Sequence, residues 1–480
     1  MGVEYLPLMP LIILVLGEMV ILLLEPFTAP AYKSRLGQLA IVTAALAAYS
    51  LSFQWSSLEH ESFHGMLITD HFAIFFQWLF LVITAICALV SIRFNEREGM
   101  NRGEYYALLL FACSGMLLMA ASGDLILTFL GIEILSISTY VLAGFKRADP
   151  RSNESSLKYF VLGSFATAFL LYGIALIYGG TGSTNYRLIQ MAISLQGTVQ
   201  TTTLLGLGLL LVGFGFKLAT VPFHAWAPDV YEGAPTAVTA FMMVGPKAAG
   251  FAALVRVLLQ ALPALAEDWR SAMWLVAVLT MTLGNVVAVR QTSIKRMLAY
   301  SSIAHAGYIL VGIVANSRAA YGAIAFYLAA YALMNLGALS IVLSFSRKGD
   351  LNVDLDDYAG LGRLAPIPAA ALSLFLISLA GIPLTGGFIG KFYLFSAAVS
   401  QGFIGLVIIA VLNSALSVYY YFRVLVVMYM REPAEGRSGP DALGTTVMAV
   451  VWIAAIGILW LGILPGRLLD LATYSTLALK

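Results

Sequence analysis

Long apolar runs, separated by short clusters of charge, proline and glycine, recur along the whole chain. About 20 consecutive apolar residues in a helix cross the hydrocarbon core of a bilayer. Scanning at that length predicts fourteen helical spans, near 8–25, 36–55, 72–92, 105–121, 124–145, 157–178, 203–219, 236–261, 271–289, 298–314, 320–345, 366–399, 403–430 and 442–464. The twelfth is too long for one straight span. Its interior reads Gly381, Ile382, Pro383, Leu384, Thr385, Gly386, Gly387, which predicts a broken helix. The seventh is followed by Pro222, Pro228 and Pro235 with charges between them, so it too is expected to break and resume before the eighth. The predicted class is all-α, a polytopic membrane protein. The first span lacks a basic stretch before it and a small-residue cleavage site after it, and reads as a permanent helix.

Composition agrees with that pattern. The 480 residues are 60% hydrophobic and 11% charged, with a mean hydropathy of +0.89, whereas soluble domains carry about 25% charged residues. A net charge of +2 excludes a strongly basic nucleic-acid binder. Cys87 and Cys113 both lie in apolar runs, so neither a disulfide framework nor a cysteine-based metal or iron–sulfur site is expected.

Basic residues mark cytoplasmic loops. With the N-terminus outside, seventeen of the 27 Lys and Arg fall in inside loops, among them Arg93, Arg97, Lys146, Lys295, Arg347, Lys348 and Arg437, and five fall outside, Lys480 included. Both termini are therefore expected on the outer side. Five cations remain within spans: Lys217, Lys247, Arg256, Lys391 and Arg423.

A charge at the bilayer centre costs at least ~2.5–3.5 kcal/mol and normally faces a wet interior that serves transport. Arg256 lies near the outer end of its helix and reads as a snorkelling side chain. Arg423 is divided between snorkelling inward and pairing within the bundle. Lys217, Lys247 and Lys391 have no such escape, and each sits beside glycine-rich or proline-broken backbone. Glu133, flanked by hydrophobes on both sides, is the expected anionic partner for Lys217. Glu18 is divided between pairing with another chain and lying protonated against a neighbouring helix.

An ordinary lysine, with a pKa near 10.4, holds its proton too tightly to relay it at neutral pH. Low dielectric weakens that hold, and a nearby carboxylate strengthens it. A carboxylate that approaches and retreats would thus load and unload an amine. On this reading Glu133 and Lys217 form a switch, and Lys247 and Lys391 are relay positions along a buried polar path. His224 and His305 extend the path, since imidazole titrates near neutrality. For His305, a hydrogen-bonded core histidine is an equal alternative.

The spans also hint at internal repetition. Spans four to eight and nine to thirteen each contain five helices. Glu133 to His305 is 172 residues, Lys217 to Lys391 is 174 and Lys247 to Arg423 is 176. Five is odd, so two consecutive units run in opposite senses through the membrane. The expected organisation is 1–103 (helices one to three), 104–262 (first repeat), 270–432 (second repeat) and 442–480 (last helix), two inverted five-helix repeats each with a broken helix.

The stretches GFKLATVPFHAWAPDVYEGAPTAVTAF (215–241) and LISLAGIPLTGGFIGKFYLF (376–395) resemble the antiporter-like membrane subunits of respiratory complex I, NADH-quinone oxidoreductase. The similarity runs over essentially the whole chain, and the absence of a long lateral helix after the last span favours the N type over the L type. The resemblance implies a fourteen-helix fold and a proton channel in which Glu133, Lys217, Lys247 and Lys391 match the key positions. It implies a subunit of a bacterial inner-membrane translocase that moves protons while electrons pass from NADH to quinone elsewhere. FMN, iron–sulfur clusters and quinone are then expected in partner subunits, with none in this chain. The expected partners are other complex I membrane subunits, the lipid bilayer, protons and water.

Three further stretches read otherwise. His60, Glu61 and His64 form H-E-x-x-H, a zinc-site pattern when it lies on a helix, but they fall in a short outside loop with only Asp70 and His71 nearby as further ligands. Gly179 to Thr184 lacks the lysine and preceding strand of a phosphate loop and reads as a flexible connection. Asp354, Asp356 and Asp357 read as a solvated loop or a partner contact. Rival functions are a cation/proton antiporter subunit of the related multisubunit type, distinguished by sodium dependence, and a passive scaffold whose buried charges only hold helices together.

Overall fold

The computed structural model describes residues 5–55, 60–197, 199–346, 349–350, 353–433 and 444–479; Arg347, Lys348, Arg437 and Lys480 lie outside them. In chain order the helices are α1 (Met9–Leu24), α2 (Ser34–Ser52), α3 (His71–Glu98), α4 (Gly103–Ala121), α5 (Leu125–Ala143), α6 (Pro150–Thr181), α7 (Tyr186–Leu195), α8 (Thr201–Leu218), α9 (Trp226–Gly233) and α10 (Thr236–Arg256). They continue as α11 (Ala266–Ala288), α12 (Ile294–Ala315), α13 (Arg318–Phe345), α14 (Leu361–Leu364), α15 (Pro366–Ala380), α16 (Gly386–Ser400), α17 (Ile404–Met430), α18 (Thr445–Ile463) and α19 (Gly466–Ser475). Among the described residues twelve helices are long and apolar enough to cross a membrane. The less apolar α2 and the broken pair α15/α16 bring the count to the fourteen spans expected. Large side chains on the outer helices, such as Leu23, Phe165, Leu412 and Ile453, face outward, as contact with lipid tails requires.

Local chemistry sets the helix ends. The side chains of Asp70, Asp124, Ser293 and Ser317 cap α3, α5, α12 and α13 by accepting backbone N–H bonds. Three features went unforeseen. Residues His60–Ser62 and Leu67–Thr69 pair as antiparallel strands, β1 and β2. The short helices α7 and α19 lie beside the spans. The H-E-x-x-H stretch is thus a hairpin, with His64 in its turn at φ +58 and Glu61 paired with Arg187 at 3.3 Å. Gly179 to Thr181 are helical and end α6, contrary to the flexible connection expected there. Asp354 and Asp357 form a reciprocal cap on a short 3-10 turn, and Asp356 pairs with Arg431 at 2.6 Å.

Helix α10 is the central post, buried along its whole length. It packs on α3, α4, α5, α8 and α13, while α17 packs on α11, α12 and α15. Both ends of α10 are clamped. At its C-terminus Arg256 does not snorkel: its guanidinium is fully buried and donates to the Asp70 carboxylate at 2.7 and 2.9 Å and to the Ala120 carbonyl at 2.8 Å. The bidentate fork and the carbonyl replace the hydrogen bonds that water would otherwise give the charge and so offset its desolvation. At its N-terminus Asp350 accepts from the Thr236 amide at 3.0 Å and hydroxyl at 2.7 Å. Lys295 bridges Asp350 (3.0 Å) to the Ala234 carbonyl (2.8 Å). Burial alone would push the Asp350 carboxyl up, but the Lys295 charge and the Thr236 hydrogen bonds outweigh it and hold it below the usual aspartate range.

Two expectations come from these clamps. Asp70→Ala strands the Arg256 guanidinium without its counter-ion and should cost about 3–5 kcal/mol, seen as a lower unfolding temperature of the purified subunit. Asp350 is depressed on folding, so its contribution is complete above the unfolded-state pKa and is lost as pH falls through the folded one. Asp350→Asn should therefore lower the unfolding temperature at neutral pH by an amount that stays constant down to about pH 4 and shrinks only below it.

Candidate functional site

The two predicted breaks are present, and a lysine lies beside each, with Lys391 bound to the freed backbone. Helix α8 ends one residue after Lys217, where Ala219 turns left-handed at φ +55. The turn folds back over Gly215: a Cβ there would lie 2.7 Å from the Phe223 ring. The orphaned carbonyls find partners, Gly215 accepting from the Thr220 amide at 2.8 Å and Phe216 from the Trp226 indole at 3.0 Å. Helix α15 ends at Ala380, followed by Gly381 at φ +87, and α16 starts at Gly386 under a Thr385 cap. Such breaks are tolerated only inside protein or along a wet cavity.

The three lysines are each at most 6% exposed. Lys217, in the last turn of α8, donates to the Ser136 hydroxyl of α5 at 3.0 Å. Lys391 of α16 donates to the terminal carbonyls of α15, Leu379 at 3.1 Å and Ala380 at 3.0 Å, and to the Ser414 hydroxyl at 2.8 Å. Both amines thus sit at the C-terminal end of a half-helix, where the backbone dipoles carry partial negative charge. Gly381 makes room, since a Cβ there would lie 3.0 Å from the Lys391 side chain. Lys247 follows Pro246 inside α10 and donates to the carbonyl and hydroxyl of Ser302 on α12. Pro246 supplies no N–H to Met242 four residues back, and the Tyr231 hydroxyl donates to that carbonyl at 3.4 Å. Among the described residues none of the three lysines makes an ion pair.

Aromatic rings and close packing lie between the lysines. Lys217 Cγ lies 3.7 Å from the Cβ position of Gly250, one turn beyond Lys247 on α10. Lys247 Nζ is 5.9 Å from the Tyr331 ring centre, which is 5.3 Å from the His305 ring. The Tyr308 ring is 5.6 Å from His305 and lies under Lys391 Nζ at 4.8 Å. His305 itself is buried, with Nδ1 2.6 Å from the Tyr327 hydroxyl and Nε2 3.2 Å from that of Tyr421. Asn285 completes the polar core, donating to the Tyr308 hydroxyl at 2.8 Å and accepting from Tyr420 at 3.0 Å.

Not every expected residue joins this path. Glu133 is half-buried and accepts from Thr167 of α6 at 2.8 Å. It is one turn from Ser136, so the Lys217 ammonium reaches the neighbouring turn of α5 and not the carboxylate itself. His224 lies in the turn after α8, half-buried, with Nδ1 outside any hydrogen bond. Arg423 donates to the Val289 carbonyl at 2.8 Å and to that of Gln291, capping the end of α11. Glu18 is enclosed by this chain at 0% exposure, with neither carboxylate oxygen hydrogen-bonded among the described residues. The serine, asparagine and tyrosine partners went unnamed in the sequence; an asparagine in an apolar span, Asn285 or Asn413, was the one signal there to read.

A family model described as NADH:quinone oxidoreductase/Mrp antiporter, TM, matches residues 122–417. NADH-quinone oxidoreductase subunit N of Trichlorobacter lovleyi is 48% identical over 465 residues, 97% of this chain and 95% of that one. Subunit N 1 of Solibacter usitatus is 44% identical over 472 residues, 98% and 97% of the two chains. Among solved structures, a chain of respiratory complex I from Thermus thermophilus aligns with a TM-score of 0.81 at 35% identity, covering 97% of this chain and all of that one. A chain of the Mrp complex from a Dietzia species shares the fold at 22% identity, TM-score 0.84, over 99% and 98% of the chains. With both broken helices and all three buried amines inside the matched region, the chain belongs to the NADH-quinone oxidoreductase subunit N family of antiporter-like membrane proteins.

Proposed function

We propose that this chain translocates protons within a bacterial NADH-quinone oxidoreductase, passing them along Lys217, Lys247, His305 and Lys391, with Glu133 and His224 at the first break. One observation carries the reading: three amines are buried in the bundle, solvated only by hydroxyls and backbone carbonyls, with no carboxylate in contact among the described residues. An ammonium so placed gains no ion-pair stabilisation for its desolvation cost, and proton transfer gives such groups a use. Lys217 and Glu133 work as the switch. Glu133 is a turn away on α5, so a small movement of α5 or of either side chain changes the field at Lys217.

The electrons travel elsewhere. NADH, FMN, iron–sulfur clusters and quinone belong to partner subunits, and this chain performs no redox step. Its partners are the other membrane subunits, its location is the inner membrane, and both termini lie on the outer side. Spans four to eight (104–262) and nine to thirteen (270–432) form two inverted repeats. The packing supports this, because α10 on α4, α5 and α8 is matched by α17 on α11, α12 and α15.

The test uses the assembled complex in vesicles. Lys217→Ala, Lys247→Ala and Lys391→Ala should each cut proton translocation at least about tenfold, a barrier change of ~1.4 kcal/mol or more, at unchanged subunit content. Undiminished pumping in all three would leave the buried amines a purely structural role. Translocation that requires sodium would instead favour the cation/proton antiporter reading.

A further inference from the structure

Between Lys247 and Lys391 the hydrogen-bonded groups are not lysines. His305 has a tyrosine hydroxyl on each ring nitrogen, Tyr327 on Nδ1 at 2.6 Å and Tyr421 on Nε2 at 3.2 Å. The Tyr421 hydroxyl is in turn hydrogen-bonded to Ser301. These four side chains come from α12, α13 and α17 and are all buried. A neutral imidazole has one N–H donor and one acceptor nitrogen, so the hydroxyls on its two sides must be oriented in opposite senses. An array of this kind has two equivalent settings, related by the passage of one proton from end to end.

Each end of the array belongs to a residue next to one that holds or adjoins a lysine. Ser301 is adjacent in sequence to Ser302, which holds Lys247. The Tyr327 ring packs on Gly390, the residue before Lys391: a Cβ at Gly390 would lie 2.5 Å from it. We infer that Ser301, Tyr421 and Tyr327 are proton-carrying residues that, with His305, form the conducting link between Lys247 and Lys391. The inference rests on the lysine relay proposed above. In one passage the Lys247 ammonium swings from Ser302 and gives a proton to the Ser301 hydroxyl oxygen, and the Ser301 hydroxyl passes its own proton to Tyr421. The Tyr421 hydroxyl proton moves to His305 Nε2, and the imidazole releases its Nδ1 proton to Tyr327. The Tyr327 hydroxyl proton goes to the uncharged amine of Lys391, which swings from the Leu379 and Ala380 carbonyls to receive it. Each member takes one proton and gives one, so the net change is one proton lost by Lys247 and one gained by Lys391.

The experiment uses the whole complex in vesicles and follows proton translocation, together with electron transfer from NADH to a soluble acceptor as a measure of intact enzyme. Tyr421→Phe and Tyr327→Phe keep each ring and remove one hydroxyl. Each should lower translocation at least about tenfold at wild-type subunit content and soluble-acceptor activity. Gly390→Ala, which pushes on the Tyr327 ring, should act in the same direction. A fluorinated tyrosine at position 421 keeps both ring and hydroxyl and weakens only the phenol's hold on its proton. It should shift the pH profile of translocation, which a merely structural hydroxyl would not do, and it serves equally if the phenylalanine variants fail to assemble. Full translocation in both phenylalanine variants, with Lys247→Ala and Lys391→Ala still defective, overturns the link and leaves the relay standing. An unmoved pH profile with the fluorinated tyrosine also overturns the link. Full translocation in the lysine variants removes the relay and this inference together.

Discussion

An ammonium ion buried in a helical bundle must be solvated by the protein, and that requirement organises this fold. Within an unbroken helix each carbonyl already accepts from the helix's own N–H groups, which leaves a cation only a second lone pair or a side-chain hydroxyl. Interrupting the helix frees the carbonyls of its last turn. The break after Ala380 releases two that Lys391 takes up directly. The break after Leu218 leaves Lys217 at the end of a half-helix, where a serine hydroxyl completes its shell. Lys247 lies on a continuous helix and borrows its oxygens from Ser302 of a neighbour. Three amines are thus accommodated in two ways, with the freed carbonyls of a broken helix for Lys391 and a cross-helix serine for Lys217 and Lys247.

The same solvation explains why hydroxyls and amides crowd the interior of an otherwise apolar molecule. Tyr308, Tyr327, Tyr420 and Tyr421 are all fully buried, and their rings supply the apolar surface that packing needs. Their hydroxyls meet His305, Asn285 and Ser301. Tyrosine suits such a place, being a large apolar body with one polar tip that needs a partner when buried. The surroundings of the lysines and His305 are therefore built from neutral polar groups.

The spans and both breaks were readable in the sequence because each is a local signal: the length of an apolar run, or glycine and proline inside one. The lysines were readable for the same reason. Arg256 was misread, since a cation near a helix end looks like a snorkelling side chain until its partner is known, and Asp70 lies 186 residues away. The Glu133–Lys217 contact was expected from charge alone, whereas the fold puts Thr167 against the one and Ser136 against the other. The hairpin β1–β2 and the short helices α7 and α19 were missed because a few residues of strand or amphipathic helix leave little mark beside long apolar runs. The tyrosine and serine partners of His305 carry no local signature at all; only the crossing of α12, α13 and α17 brings them together.

Helix α10 is held at its N-terminal end through Thr236 and Asp350 and at its C-terminal end through Arg256 and Asp70. A rod pinned at both tips neither slides along its axis nor turns about it without tearing out one of the pins. Lys247 is thereby given a fixed address in the bundle.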